Sequence, residues 1–278
     1  MGNEERRARM RKAMEAQGLD ALVLRLPENV LLLSGHWPMI GNAYLVFPLE
    51  GKATCILPAC YRNEAEASLE DCEAKFLPYG GKSDPPYVPA VKAAVEQAVA
   101  KRARRIGYEG NFEVVAPSWN LGDGMVPAAD TMEMLRAAFA DRELMDVSAL
   151  LKKERLRKTS YEIERMSIAS EISCYAMEAF HDAAEVGVSG VELVAITEHA
   201  ATIRGTGYKG TVRVRALAQV TTGAAETAEG HRPNVISTAR EMEDGDFAML
   251  ELGLVADGYW ADRTRVRIVG TEIGRAHV

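Results

Sequence analysis

Two carboxylates eleven residues apart, Glu251 and Asp262, are the residues of this 278-residue chain best spaced to do chemistry. Between them lies Asp257-Gly258, a strong two-residue hairpin signal, because the favoured turn needs positive φ at both positions. The pattern predicts strands over Phe247–Val255 and Tyr259–Val269, with Ala256 opposite Tyr259 and Glu251 opposite Thr264. Side chains alternate along a strand, so Glu251 and Asp262 emerge on one face as diagonal neighbours, roughly 7–8 Å apart at the backbone. Their companions there are mostly apolar: Phe247, Met249, Gly253, Val255, Trp260, Thr264, Val266 and Ile268. Two carboxylates on such a face repel each other and lose hydration unless a cation lies between them. A divalent metal pair is one reading; a salt bridge and a solvated sheet face are the others. Arg263, Arg265 and Arg267 have the opposite parity and project from the other side of the hairpin.

His231 is the third residue with chemical potential. It falls in a polar, glycine-containing stretch, Thr222 to Asn234, read as a loop between a strand over Arg213–Thr221 and the hairpin. Loops held by a rigid sheet often present catalytic side chains, and imidazole titrates near neutral pH. A plain loop histidine fits the same position. His36 follows a helix beside Trp37 and Pro38, and it reads as structural or surface-exposed. His181 and His199 lie inside helices without a partner at metal-ligand spacing. Gly80-Gly81-Lys82-Ser83 lacks the first glycine of a phosphate loop, and Pro85-Pro86 forbid the helix that would follow, so it is no nucleotide site.

The composition bounds the function. At 278 residues, two domains are expected. Hydrophobic content of 47% and charged content of 26% describe a globular chain, and a formal charge of -7 argues against nucleic acid and anionic membranes as partners. No apolar run approaches a membrane span, and the start carries no secretory signal. Cys55, Cys60, Cys72 and Cys174 lack zinc-ligand spacing and read as reduced thiols of a cytoplasmic protein.

The elements that must position these residues change character midway. In the first half, helices over Arg6–Gln17, Pro27–Leu33, Tyr61–Leu69 and Val91–Ala100 alternate with strands over Leu19–Leu24, Ala43–Phe47, Ala53–Leu57, Ala74–Leu77 and Arg105–Tyr108. That alternation predicts an α/β domain with a mixed sheet. A short helix over Asp146–Arg155 closes it. Capping boxes at Thr159–Glu162 and Ser189–Glu192 then start two long helices. The first carries Ile163, Met166, Ala169, Ile172, Ala176 and Ala179 on one stripe and ends near Gly187, and the second ends at Gly205. Long helices followed by strands are a new pattern, which sets the domain boundary between Leu150 and Lys158.

Several motifs occur together in order: Gly223 and His231, Gly245-Asp246, Glu251-x-Gly253, then Gly258-Tyr259-x-x-Asp262-x-Thr264-Arg265. This set resembles the pita-bread metallohydrolases, the family of aminopeptidase P, prolidase, methionine aminopeptidase and creatinase. Gly18-Leu19-Asp20-Ala21-Leu22 and the Asn29–Gly35 stretch are similar to the creatinase-type N-terminal domain, and Arg157–Ile163 resembles the family's domain junction. The resemblance implies a creatinase-like domain over 1–150 and the first half of an α+β pita-bread domain over 156–271.

By the same resemblance, Asp262 matches an aspartate that bridges two divalent metals (manganese, cobalt, iron or zinc). Glu251 falls where the family usually has a second metal-binding aspartate. His231 matches a histidine that contacts substrate and stabilises the tetrahedral intermediate. The implied activity is hydrolysis before proline by a metal-activated water, with a peptide substrate and a homodimeric protein. A creatinase-like or other small-amide hydrolase and a non-catalytic binding module are the alternatives. The family completes its metal site with a histidine and two glutamates well beyond the Thr264-Arg265 motif, so a C-terminally truncated, inactive fragment is expected. Residues 272–278 read as translated sequencing-adapter DNA, an expected artefactual tail.

Overall fold

The computed structural model describes residues 3–38, 43–79, 87–110, 129–230 and 235–270. The chain divides into two compact units, Met1–Tyr161 and Glu162–Val278.

The first unit runs α1 (Glu4–Ala16), β1 (Ala21–Leu24), α2 (Pro27–Ser34), β2 (Tyr44–Pro48), β3 (Ala53–Pro58), α3 (Arg62–Ser68), β4 (Cys72–Leu77), α4 (Tyr87–Ala98), β5 (Arg105–Tyr108), α5 (Ala129–Ala138), β6 (Glu143–Asp146) and α6 (Ser148–Leu156). Its six strands form one mixed sheet in the order β4-β3-β2-β1-β5-β6. The β1–β2 and β2–β3 pairs are antiparallel, and the β1–β5, β5–β6 and β3–β4 pairs are parallel. Every residue of β1 is buried, as a central strand covered on both faces requires. Leu22, Leu24, Leu45, Phe47, Cys55 and Leu57 face one core, with Met10, Met14 and Val30 from the helices. Ala21, Val23, Tyr44, Val46 and Ile56 face the other, with Val91, Val95, Leu135 and Phe139. The unit is therefore an α/β domain with a mixed sheet, as its alternation of elements predicts.

Helix ends follow local chemistry. Pro27 sits in the first turn of α2, and Gly35 closes the helix at φ 78°, a conformation that glycine adopts without strain. The α5–β6 pair was not read from the sequence. Asp146, expected to start a helix, ends β6, and its carboxylate accepts from Ser148 N and Oγ at the entrance to α6. Leu150 and Leu151 of α6 are buried in the first core. The helix therefore belongs to the first unit, and the division falls at Tyr161–Glu162, a few residues after the boundary expected between Leu150 and Lys158.

The second unit contains α7 (Ser160–Ala183, its first two residues preceding the division), α8 (Gly190–Gly205), β7 (Val214–Thr222), α9 (Gly223–Ala228), β8 (Phe247–Ala256) and β9 (Tyr259–Ile268). A complete capping box starts α8: Ser189 accepts from Glu192 N, while Glu192 accepts from Ser189 N. The three strands pair antiparallel in the order β7-β8-β9. One sheet face, with Ala248, Leu250, Leu252, Leu254 and Val220, packs on Ile168, Ile172, Ala176 and Phe180 of α7 and Leu193 and Ala201 of α8. Ile163 and Met166, assigned to the same α7 stripe by periodicity, are exposed instead, and the buried face takes in Ile168, Ser173 and Phe180. The stretch read as a loop from Thr222 begins with the short helix α9. Among the described residues, no helix is long and apolar enough to cross a membrane.

Candidate metal centre

The hairpin turn is built by local chemistry. Asp257 and Gly258 both have positive φ, 47° and 88°, as a two-residue turn of this type demands. Asp257 also holds the turn in place. Its carboxylate accepts from Val212 N and Arg213 N and pairs with Arg165 of α7 at 2.9 Å. The register that follows is Ala256 opposite Tyr259, Glu251 opposite Thr264 and Gly253 opposite Asp262. Glu251 and Asp262 therefore share a face as diagonal neighbours, the arrangement that spacing predicts.

The arginines that follow Asp262 on β9 point away. Arg263 donates to Ser170 and Ser173 on α7, and Arg267 donates to the His181 backbone oxygen, with its guanidinium 2.8 Å from His181 Nδ1. The opposite face, which carries Glu251 and Asp262, is covered at Val255 and Thr221, 0% and 1% exposed, and open toward its β9 side. Phe247, Val266 and Ile268 are 43%, 52% and 40% exposed.

Other carboxylates of this unit show what an engaged acid looks like. Glu226 accepts from Thr222 N, Thr222 Oγ1 and Thr238 Oγ1. Asp246 accepts from Glu243 N and Arg240, and the Arg240 guanidinium, aided by that N–H, holds its carboxyl below the usual range. Glu198 caps the outward N–H of Ala218 on β7. Among the described residues, neither Glu251 nor Asp262 has a hydrogen bond or ion pair. The salt-bridge reading of the pair therefore finds no partner among those residues.

Whether these residues suit a divalent cation is decided by their donors and the space between them. Two carboxylates on neighbouring strands offer hard oxygen ligands of the kind manganese and similar ions take. Gly253, beside Glu251 and opposite Asp262, leaves that part of the face uncovered; a Cβ there would meet nothing nearer than the Trp260 ring, at 3.4 Å. The pair fits such an ion as part of a ligand set. No group of three or more His, Cys, Asp or Glu able to hold a metal forms among the described residues. His231, the sequence's candidate for substrate contact, lies outside the described residues, as do the Gly80–Pro86 stretch and the 272–278 tail.

The other histidines are accounted for. His36 is buried, with Nδ1 2.9 Å from Ser68 Oγ and its ring edge-on to Tyr61. His199 is exposed on α8. A residue that the sequence did not single out also lies on the carboxylate face: Gln219 of β7 stands directly opposite Glu251. Its signal was a lone amide within the run Val214–Thr222, but no local rule gives the β7–β8 register across the long connection.

Residues 6–157 match the Creatinase/Prolidase N-terminal domain, and residues 164–277 match Metallopeptidase family M24. The chain belongs to the creatinase/prolidase-type M24 metallopeptidases. It is 23% identical over 271 residues to an Xaa-Pro dipeptidase of Pyrococcus furiosus, a match spanning 96% of this chain and 66% of the relative. Its fold is that of the prolidase from Pyrococcus horikoshii OT3, with a TM-score of 0.68 at 19% identity, covering 96% of this chain and 65% of that one. It is also that of the X-Pro aminopeptidase from Thermotoga maritima MSB8, with a TM-score of 0.70 at 20% identity, covering 95% and 65%. The second unit is thus a partial pita-bread domain, and the chain spans about two-thirds of the length of these relatives.

Proposed function

We propose that this chain carries part of the catalytic centre of a metal-dependent peptidase that cleaves the bond before proline. The observation that carries the reading is the pair of carboxylates, Glu251 and Asp262, that share one face of the β8–β9 hairpin and have no partner among the described residues. The names of its relatives, Xaa-Pro dipeptidase and prolidase, supply the substrate class.

Glu251 and Asp262 would hold the cation, with Asp262 opposite Gly253 in the hairpin register. A divalent metal held there would supply a water acidified toward neutral pH and a positive charge to polarise the scissile carbonyl. Manganese, cobalt, iron and zinc all accept such ligands. The Glu251 side chain is one methylene longer than the aspartate usual in the family, so its carboxylate reaches further out from the strand. His231 is assigned to substrate contact by its place in the motif set.

Manganese titration followed by electron paramagnetic resonance tests the reading. Bound Mn(II) that is lost in both Glu251→Gln and Asp262→Asn supports it. Mn(II) binding that neither substitution changes overturns it. Proline release from Xaa-Pro dipeptides, set against hydrolysis of guanidino and simple amide compounds, separates the prolidase-like from the creatinase-like activity.

A further inference from the structure

Two thiols meet in the first unit. The parallel β3–β4 register sets Ala53 opposite Cys72 and Cys55 opposite Ala74. Cys55 and Cys72 are therefore diagonal neighbours on one sheet face, and both pack into the core that holds Met10 and Val30. Directly across the ladder each cysteine meets an alanine, which leaves room for the longer thiols to lean toward each other. They come within hydrogen-bond reach, and that contact, with burial, pushes the Cys55 thiol well up. Their surroundings differ. Cys55 is fully buried, whereas Cys72 opens β4 and is half-buried. Cys72 is also the one able to shift. It follows Asp71, held at φ 46° in a turn, and β4 is an edge strand bonded to β3 alone. Diagonal neighbours in a sheet have Cα atoms roughly 7–8 Å apart and a disulfide spans up to about 6.8 Å, so a shift of about 1 Å closes the gap.

We infer that Cys55 and Cys72 are a redox-active pair, oxidised by hydrogen peroxide to a disulfide that staples edge strand β4 to β3. This inference concerns the first unit and stands apart from the peptidase reading. Cys72, the thiol that solvent reaches, reacts first, since accessible thiolates are the reactive ones. Its sulfur takes one oxygen from the peroxide and becomes a sulfenic acid, while the released hydroxide and the Cys72 proton form water. The Cys55 sulfur then bonds to the Cys72 sulfur as the S–O bond breaks. The Cys55 proton leaves with that hydroxyl as a second water. Two thiols are oxidised and one peroxide is reduced. The bond closes a loop around α3 and fixes the position of Glu70, two residues before Cys72. The Glu70 carboxylate accepts from Asn3 N and Arg7 at the start of α1, so the staple also steadies that helix end.

Peroxide treatment of the full chain tests this. Trypsin leaves Cys55 and Cys60 together on the peptide Ala53–Arg62 and Cys72 on the next, Asn63–Lys75. The assignment is therefore made in Cys60→Ser, a change at an exposed position that leaves the core intact. The expected result is a loss of both the Cys55 and Cys72 thiols, with the two peptides joined in mass spectra. Dithiothreitol should return both thiols, and non-reducing electrophoresis should keep the oxidised protein at the mobility of a single chain. Adding Cys55→Ser removes the second step, and Cys72 should then be trapped by dimedone as its sulfenic acid. Circular dichroism checks that this second variant is folded; the Cys60→Ser result decides by itself if it is not. Both thiols still titratable after peroxide, Cys72 oxidised while Cys55 remains a thiol, or a bond joining two chains overturns the inference. So do joined peptides that form only after urea has unfolded the chain.

Discussion

The two sheets treat their acids in opposite ways. In the first unit, Glu109 follows β5 and is 4% exposed, yet it is surrounded by donors: Arg25 N, Leu26 N and Asn29 Nδ2 all reach its carboxylate. Asn29 in turn accepts from Arg155, which pairs with Glu28 at 3.4 Å, so one buried acid ties β5 to α2 and α6. In the second unit, Glu251 and Asp262 share a face with no donor or cation from the described residues. Asp257, five residues before Asp262 on the same hairpin, is engaged by two N–H groups and an arginine. An acid whose donors come from the fold serves the fold. An acid that the fold leaves without donors is available to a ligand.

That contrast can be broken most strongly at Glu109. Glu109→Ala leaves two backbone N–H groups and an amide without an acceptor in a buried site, an expected loss of about 3 kcal/mol in urea unfolding. The pH dependence has a definite sign. Burial pushes the Glu109 carboxyl from 4.5 up to about 7, overriding the opposing hydrogen bonds from Asn29, Arg25 and Leu26. A carboxyl raised in the folded state binds its proton more tightly there than when unfolded. Its contribution is fully present below pH 4.5 and is lost as pH rises through about 7. The stability gap between wild type and Glu109→Ala should therefore narrow between pH 4.5 and pH 7 and above, when urea midpoints are compared across that range. A gap that widens over that window would show the hydrogen bonds outweighing burial.

The next largest effect belongs to the ligand site. Asp262→Asn is expected to weaken Mn(II) binding by about 100-fold, at the upper end of what even an outer-shell partner contributes, and to abolish any rise in melting temperature that Mn(II) gives. Asp257→Ala comes third. It removes the acceptor of Val212 N and Arg213 N and the Arg165 pair, and should cost about 1.5 kcal/mol of stability while leaving Mn(II) affinity unchanged. The smallest effect sharpens the contrast. Without metal, Asp262→Asn should shift stability by no more than about 0.5 kcal/mol, because no described residue depends on that carboxylate. A large loss in metal-free Asp262→Asn would place it with Glu109 and Asp257 as a structural acid.

Much of this was legible in the sequence wherever local rules suffice. Pro27 and Gly35 bound α2, Ser189 and Glu192 start α8, and Asp257-Gly258 fixes the hairpin register down to Glu251 opposite Thr264. The reading failed where a choice depended on what packs nearby. Ile163 and Met166 have the right period for a core stripe but are exposed, while Glu162 and Ser173 on the same helix are buried. The α5–β6 pair lacked strong punctuation, and α9 looked like a loop because of its small and polar residues.

By itself, then, the sequence determined the parity of the hairpin and the family motifs that mark Glu251, Asp262 and His231. Both are encoded within a few residues, through period-two alternation and a turn that needs positive φ. Only the tertiary structure decided which acids are engaged and which are not, and that Gln219 stands across from Glu251. Those facts depend on pairing between segments some thirty residues apart in the chain, Gln219 and Glu251 among them. They depend also on where buried donors fall once both cores have closed, and no short-range rule specifies either.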